Sequence, residues 1–387
     1  MTMETRNDIF KTHLQKYLKA TKTQKSQLLD SICEVSNLHR KAAIRKFKRL
    51  QKQSSSAPAP KRGRPVVYGP DVNAALKQVW EAASEICGEL LYPLIAEYVT
   101  IFQRDGMWNH SKEATAKLLS ISEGAVKSRV GKFAKASGIH RGKSGTKPSQ
   151  LKEIIPIFSG PWSDKPPGYG QIDTVAHCGS SLAGNFVWTV NWTDVATLWG
   201  ARRAQWNKGQ RATLESVATI QESLPFALLG IHPDTGGEFI TWLLQGWCED
   251  RGIEMTRSRP NHKNDNAYVE QKNGHVVRRF LGYSRYDCKD TVEVMNGLYA
   301  VLDVYLNHFV TSRKTLEKVR IGSKYKRRYD KAQTPYARVL ADPTIDQKVK
   351  DKLKSEHQKL NPLLLKKQVD TLINRILTIQ RDYSNRK

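Results

Sequence analysis

At 387 residues with 39% hydrophobic side chains, the chain holds enough apolar material for more than one buried core, and two to four domains is the natural expectation. A formal net charge of +26 requires a strongly anionic partner, nucleic acid being the commonest and an anionic membrane surface the rival. Five scattered cysteines, with no Cys-x-x-Cys pair and no histidine cluster beside them, argue against a disulfide framework and a structural zinc. Met1 to Lys16 has no apolar run, and Leu90 to Phe102 is broken by Pro93 and Glu97, so neither a signal peptide nor a membrane span is expected. The charge is uneven. Residues 1–70 carry sixteen basic and four acidic side chains, 151–283 thirteen of each, and 284–387 twenty-three and twelve. A neutral centre between basic flanks suits a module whose carboxylates need metal, carried by arms that neutralise phosphates.

In chain order, Ser26 to Val35 and His39 to Leu50 show apolar residues at helical spacing around Ser36-Asn37-Leu38, a helix-turn-helix pattern. Arg40, Lys41, Arg45 and Lys48 on the second helix are candidate DNA contacts, against the plainer reading of a solvated basic helix. Residues 53–69 read as a linker, and its Lys61-Arg62-Gly63-Arg64-Pro65 resembles an AT-hook, with Arg62 and Arg64 as minor-groove candidates. Helical spacing resumes from Asp71 to Arg104. Ala114 to Leu119 and Glu123 to Phe133, with Ser122 as N-cap, form a second helix-turn-helix candidate whose Lys127, Arg129 and Lys132 would face DNA.

From Gly168 the periodicity changes. Tyr169 to His177, Asn185 to Thr193 and Thr197 to Gln205 read as strands, and Gln210 to Ser223 as a helix. A strand at Ala227 to His232, a helix at Gly237 to Arg251, a strand at Ile253 to Ser258 and a helix at Asn266 to Gly282 follow. This is the βββαβαβα order of a ribonuclease-H-like fold, a five-stranded mixed sheet with flanking helices.

Three acids stand out within it. Asp173 lies inside the first strand, where an acidic residue is otherwise unfavourable. Asp234 ends the fourth strand, and carboxyl ends of strands are where such sheets place their chemistry. Glu270 lies on the first turn of the last core helix, with 35 residues between it and Asp234. The spacing, the Asp234-x-Gly236-x-Glu238-Phe239 turn and the Asn266-x-x-x-Glu270-x-x-Asn273 helix start resemble the DDE transposases and retroviral-integrase-like catalytic cores. More loosely, Tyr329 to Tyr336 resembles the tails of bacterial insertion-sequence transposases.

The resemblance implies that Asp173, Asp234 and Glu270 hold two Mg²⁺ or Mn²⁺ ions and transfer DNA phosphodiester bonds, Asp173 bridging the ions. It makes Asn261 to Asn264 an active-site loop in which His262 and Lys263 meet the DNA end. Arg278, eight residues past Glu270, is a candidate phosphate contact, while the lysines that retroviral integrases carry four and seven positions past this Glu are here Gly274 and Val277. Asp194 is expected to be structural, Glu238 to be a favourable charge at a helix start, and His232 to be packed or capping; Asp265 is the plausible substitute for Glu270. The stripe Phe239, Trp242, Leu243, Trp247 is expected to be core. Beyond the core, Lys326, Arg327 and Arg328, interleaved with tyrosines, suit backbone neutralisation.

The expected organisation is multidomain: 1–52 and 70–150 as all-α helix-turn-helix DNA-binding domains, 151–283 as the catalytic core, and 284–387 as a basic, mainly helical DNA-binding or oligomerisation region. The expected activity is cleavage and strand transfer at the ends of a mobile element. The partners would be double-stranded DNA, both element ends and target, and further copies of the chain as a homodimer or homotetramer, with no membrane and no small-molecule substrate. A cytoplasmic, nucleoid-associated bacterial protein is implied. The alternatives are a catalytically silent DNA-binding regulator derived from such an enzyme and a ribonuclease-H-fold nuclease without strand transfer; the retained acids weigh against the first and the paired helix-turn-helix patterns against the second.

Overall fold

The computed structural model describes residues 3–53, 67–135, 155, 156, 158, 162–234, 236–259, 265–321 and 324–386. It divides into two compact units, Met1–Val66 and Val67–Lys387.

The first unit is three helices, α1 (Met3–Lys19), α2 (Lys22–Ser36) and α3 (Arg40–Gln53). Phe10, Leu29, Ile32, Ala43 and Phe47 form its core, and Tyr17 stacks on Phe47 with ring centroids 4.1 Å apart. α2 ends where Asn37 takes a left-handed conformation, which asparagine tolerates better than most residues. The pair α2–α3 answers to the two helices expected from spacing. α1 is an addition to that expectation, and its Ile9, Phe10, Leu14 and Tyr17 all pack into this core.

The second unit opens with α4 (Pro70–Ala82), α5 (Gly88–Leu91), α6 (Ile95–Arg104), α7 (Lys112–Leu119) and α8 (Glu123–Lys135). The sheet follows: β1 (Tyr169–Ala176), β2 (Trp188–Asp194), β3 (Gly200–Gln205), α9 (Gln210–Ser223), β4 (Gly230–Pro233), α10 (Trp242–Glu249), β5 (Glu254–Met255) and α11 (Ala267–Lys272). That sequence of elements is the βββαβαβα order expected above. The five strands lie in the order β3-β2-β1-β4-β5, antiparallel across β1, β2 and β3 and parallel across β1, β4 and β5. α11 passes through a π turn (Asn273–Arg278) into α12 (Arg279–Leu281), and the chain continues as α13 (Thr291–Phe309). A hairpin of β6 (Thr315–Ile321) and β7 (Lys324–Tyr329) precedes α14 (Pro335–Ala341), α15 (Gln347–Lys359) and α16 (Pro362–Ser384). Among the described residues no helix is long and apolar enough to cross a membrane.

The two faces of the sheet bury different partners because side chains alternate along each strand. Ile172, Val190, Trp192 and Ile231 pack with Val217 and Ile220 of α9 and Leu244 and Cys248 of α10. Gly170 is required here by space: a Cβ would fall 2.1 Å from the Trp192 indole. The opposite face carries α11, tied to Gln171 and Asp173. α13 belongs to a larger cluster, where its Leu298, Leu302 and Phe309 pack with α4, α6 and α16. Two buried hydroxyls lock this arrangement, Tyr305 donating to Ala82 O at 2.7 Å and Tyr98 to Phe309 O at 3.0 Å.

The polar side of α13 closes the sheet edge. β3 is an outer strand, so on one side its backbone groups lack a ladder. Asn296 accepts from Ala204 N (2.8 Å) and donates to Ala204 O (3.1 Å), Asp303 accepts from Arg202 N (2.8 Å), and Asn307 accepts from Gly200 N (2.9 Å) and donates to Gly200 O (2.8 Å). Three side chains of one helix thus serve alternate residues of the strand.

α10 corrects the expected stripe. It begins at Trp242, capped by Thr241 Oγ1 accepting from Leu244 N at 3.2 Å, whereas Gly237 to Phe239 form a turn. The later start changes which residues face the sheet: Phe239, Leu244 and Cys248 are buried, and Trp242 and Leu243 are 63% and 42% exposed. The β6–β7 hairpin interrupts the mainly helical carboxyl-terminal region, whose other described elements, α13 to α16, are helices.

Candidate active site

The parallel pairing of β1 and β4 matches Ile172 with Pro233, so Asp173, still within β1, lies beside Asp234, the first residue past the end of β4. Desolvation, and after it the Asp234 carboxylate, push the Asp173 carboxyl well above the ordinary carboxylate range, and Glu238 adds to the repulsion. Two donors oppose that push. Thr174 N donates to Asp173 Oδ1 at 2.7 Å, and Asn273 Nδ2 donates to Asp173 Oδ2 at 2.6 Å. Asn273 presents its NH₂ to Asp173, and its Oδ1 accepts from Asn191 Nδ2 at 2.8 Å. Asn191 is the β2 residue paired directly with Asp173.

Gln171, on the same face of β1, fixes the start of α11. Its Oε1 accepts from Tyr268 N (2.9 Å) and Val269 N (3.2 Å), and its Nε2 donates to Asp265 O (2.7 Å). Gln171 and Asp173 stand two residues apart on a strand, roughly 7 Å, and their helix partners Tyr268 and Asn273 five apart, roughly 7.5 Å. The helix therefore runs along the strand in register. Glu270 is one turn before Asn273, on the same side of the helix, and is exposed.

Asp234 Oδ1 accepts from Gly236 N at 2.7 Å. Glu238 is 5% exposed; its Oε1 accepts from Thr174 Oγ1 at 2.6 Å and pairs with Lys208 Nζ at 2.7 Å, while its Oε2 is buried with no hydrogen-bond partner. A Cβ on Gly236 would fall 2.6 Å from Glu238 Oε2 and 2.7 Å from Asp234 Oδ1, so only glycine leaves this gap open. The expectation of Glu238 as a surface charge on a helix's first turn is therefore corrected. The turn at Gly237 to Phe239 carries it inward, and the signal in the sequence is its spacing of four from Asp234.

Among the described residues no three carboxylate, imidazole or thiol groups stand close enough together to hold a cation. The oxygen donors nevertheless fit a hard divalent ion in chemistry: adjacent carboxylates that repel one another, and an unpartnered buried carboxylate oxygen beside a gap that a Cβ would fill.

The other acids and the histidine are occupied. Asp194 clamps a turn, accepting from Gly168 N (2.8 Å), Thr197 N (2.6 Å) and Thr197 Oγ1 (2.7 Å), and burial raises its carboxyl to about 6. Asp265 takes Arg259 through both carboxylate oxygens at 2.8 and 3.0 Å. His232 is buried, its ring nitrogens 2.8 Å from Thr256 Oγ1 and 3.1 Å from Ser258 Oγ, and burial lowers it to about 4.

The candidate DNA contacts divide by surroundings. Lys41, Arg45 and Lys48 are exposed on one side of α3, whereas Arg40 turns to Asp30 and to Ser26 Oγ (2.6 Å). Lys127 pairs with Glu89 (3.2 Å) and Glu123 (3.0 Å). Arg129 donates to Asn73 Oδ1 (2.8 Å) and lies over the Tyr68 ring, and Lys132 is exposed. Arg278 donates to Ala176 O at 2.7 Å and lies over the Tyr283 ring, bracing the end of β1. Lys326, Arg327 and Arg328 are exposed on β7. Arg62, Arg64, His262 and Lys263 lie outside the described residues.

No family model matches the chain. Among solved structures, the catalytic core domain of BIV integrase is similar at a TM-score of 0.30 and 16% identity, over 50% of this chain and 97% of that one. The protein named Uncharacterized protein y4rM of Sinorhizobium fredii (strain NBRC 101917 / NGR234) is 34% identical over 340 residues, which is 87% of this chain and 96% of that protein. With that identity over nearly the whole of both chains, the chain belongs to the family of the y4rM protein.

Proposed function

We propose that the chain is a DNA transposase or integrase, a polynucleotidyl transferase that binds the ends of a mobile element and joins them to target DNA. The observation that carries this reading is the placement of Asp173, inside β1, beside Asp234, which follows the last paired residue of the neighbouring parallel strand β4, with the helix that bears Glu270 bound to Asp173 through Asn273. Asp173 is held by Thr174 and Asn273 yet carries an electrostatic penalty from burial and from Asp234 that a cation would relieve.

Asp173, Asp234 and Glu270 would hold two Mg²⁺ or Mn²⁺ ions. When bound, such a pair stabilises the attacking and leaving oxygens of an in-line displacement at phosphorus. The protein's own contribution is orientation. Asn273 and the Thr174 amide each hold one oxygen of Asp173, and Gln171 holds the start of the helix that bears Glu270, which supports a preset arrangement of the acids. In joining, the 3′-oxygen of the element end forms a bond to a target phosphorus as that phosphorus releases its own 3′-oxygen.

The flanks supply the grip. In this reading 1–52 and 70–150 recognise element ends, with Lys41, Arg45, Lys48 and Lys132 facing phosphate, and 284–387 adds the basic β6–β7 ribbon through Lys326, Arg327 and Arg328. Two ends must be held together, which requires a homodimer or homotetramer on DNA.

The test is a strand-transfer assay with labelled candidate ends, a plasmid target and Mg²⁺ or Mn²⁺, comparing the natural chain with Asp234→Asn. Joined product from the natural chain alone is the expected result. End binding without product from either would favour the DNA-binding regulator.

A further inference from the structure

We propose that Glu238 is a fourth carboxylate of the cation site, its Oε2 contributing an oxygen to the divalent ion held by Asp234; this rests on the reading of Asp173 and Asp234 as cation ligands. The two oxygens of Glu238 are treated differently by the fold. Oε1 accepts from Thr174 Oγ1 at 2.6 Å and pairs with Lys208 Nζ at 2.7 Å. Oε2 has no partner, although the side chain is only 2% exposed. Buried carboxylate oxygens are ordinarily satisfied, and an ion pair serving stability alone gains by using both.

What Oε2 faces gives the exception its meaning. It and Asp234 Oδ1 border the same small gap, each within 2.7 Å of the point where a Cβ on Gly236 would sit. Asp234 Oδ1 is held there by the Gly236 amide, whereas Glu238 Oε2 is turned into the gap with no donor, which leaves an anionic position that a cation would fill. Thr174 joins the arrangement to Asp173, since its amide holds Asp173 Oδ1 and its hydroxyl holds Glu238 Oε1. Lys208, whose ammonium also lies over the Trp188 ring at 4.9 Å, is the positioning residue: it occupies Oε1 and leaves Oε2 to the gap.

The experiment is calorimetric titration of the metal-free full chain with Mn²⁺, for the natural protein, Glu238→Gln and Asp234→Asn, alongside thermal unfolding of each without metal. Glu238→Gln is expected to weaken Mn²⁺ binding at least about tenfold. Its metal-free unfolding midpoint should fall only slightly, because glutamine still accepts from Thr174 although the ion pair with Lys208 is lost. Unchanged Mn²⁺ affinity in Glu238→Gln with weakened affinity in Asp234→Asn overturns the role of Glu238 and leaves the Asp173–Asp234 reading standing. Mn²⁺ binding that neither substitution alters overturns both. A lowered midpoint with unaltered affinity makes Glu238 structural and also overturns the proposal. If Glu238→Gln does not fold, Glu238→Asp, which keeps the charge but withdraws it from the gap, is expected to lose affinity likewise, and full affinity there is decisive against the idea.

Discussion

Asn273 donates its side-chain amide to Asp173 at 2.6 Å while accepting from Asn191 at 2.8 Å, so one residue of the helix that follows the last strand fixes the orientation of a carboxylate on the first. Asn273→Asp would replace the amide donor with a second acidic group beside a carboxyl already crowded by Asp234. It is expected to destabilise the metal-free chain by about 3 kcal/mol, and Asn273→Ala by about 1 kcal/mol, read from urea unfolding. Equal stability of all three proteins would show that this hydrogen bond does not hold the helix to the strand.

Asp173→Asn and Glu270→Gln are each expected to reduce joining to background while end binding stays within about threefold of the natural chain, a difference of less than about 1 kcal/mol. Filter or mobility-shift binding run beside the strand-transfer assay separates the two. Loss of binding together with joining would make the acids structural.

The first unit offers a contrast between neighbours. Lys41, Arg45 and Lys48 are exposed along α3, and Arg40 is engaged with Asp30 and Ser26. Alanine at the first three should flatten the dependence of log affinity on log salt by about 0.9 for each phosphate that is no longer neutralised. Arg40→Ala should lower the unfolding midpoint of this unit and alter the salt slope less. Identical effects at all four positions would contradict the division.

His177 supplies a test of pH dependence. It is fully buried, its Nε2 2.8 Å from Thr189 Oγ1, and burial together with the charge of Arg278 lowers it to about 3. Below its ordinary value of 6.5 the unfolded chain takes up a proton that the folded chain refuses, so the stability attached to a neutral His177 is lost as pH falls. The penalty of His177→Gln, measured by urea unfolding, should therefore shrink by about 2 kcal/mol between about pH 7.5 and pH 5. A penalty independent of pH would mean that His177 protonates within the fold.

Removing the polar groups of α13 tests the sheet edge. Asn307→Ala strands the Gly200 amide and carbonyl, both buried, and should destabilise the second unit by about 2 kcal/mol. Asn307→Asp, which still accepts from Gly200 N but cannot donate, should fall between Ala and the natural residue.

How much of this is legible in the sequence follows from what each element buries. The core strands and α9 are readable because they alternate or repeat against an apolar interior; α9 spans Gln210–Ser223, the bounds its periodicity predicts. Asp173 and Asp234 are readable because an acid in or at the end of a buried strand conflicts with its surroundings. The β6–β7 ribbon is not, since its two strands pair with each other and two of its apolar residues, Leu316 and Val319, are exposed. Glu238 is misread because its sequence suggests a helix from Gly237, and a helix's first turn points acids to solvent; the actual start at Trp242 leaves a turn that points one inward. Asn273 is visible only as part of a motif, its partner being 100 residues away in the chain.

The capped edge also bears on how copies of this chain can meet. With the Gly200 and Ala204 amides and carbonyls and the Arg202 amide already taken, β3 is a poor template for another strand, and β5, the other outer strand of this sheet, is only two residues long. The five-stranded sheet is therefore poorly suited to continuation into a neighbouring molecule, so copies of the chain that met through this sheet would have to do so by its side-chain surfaces.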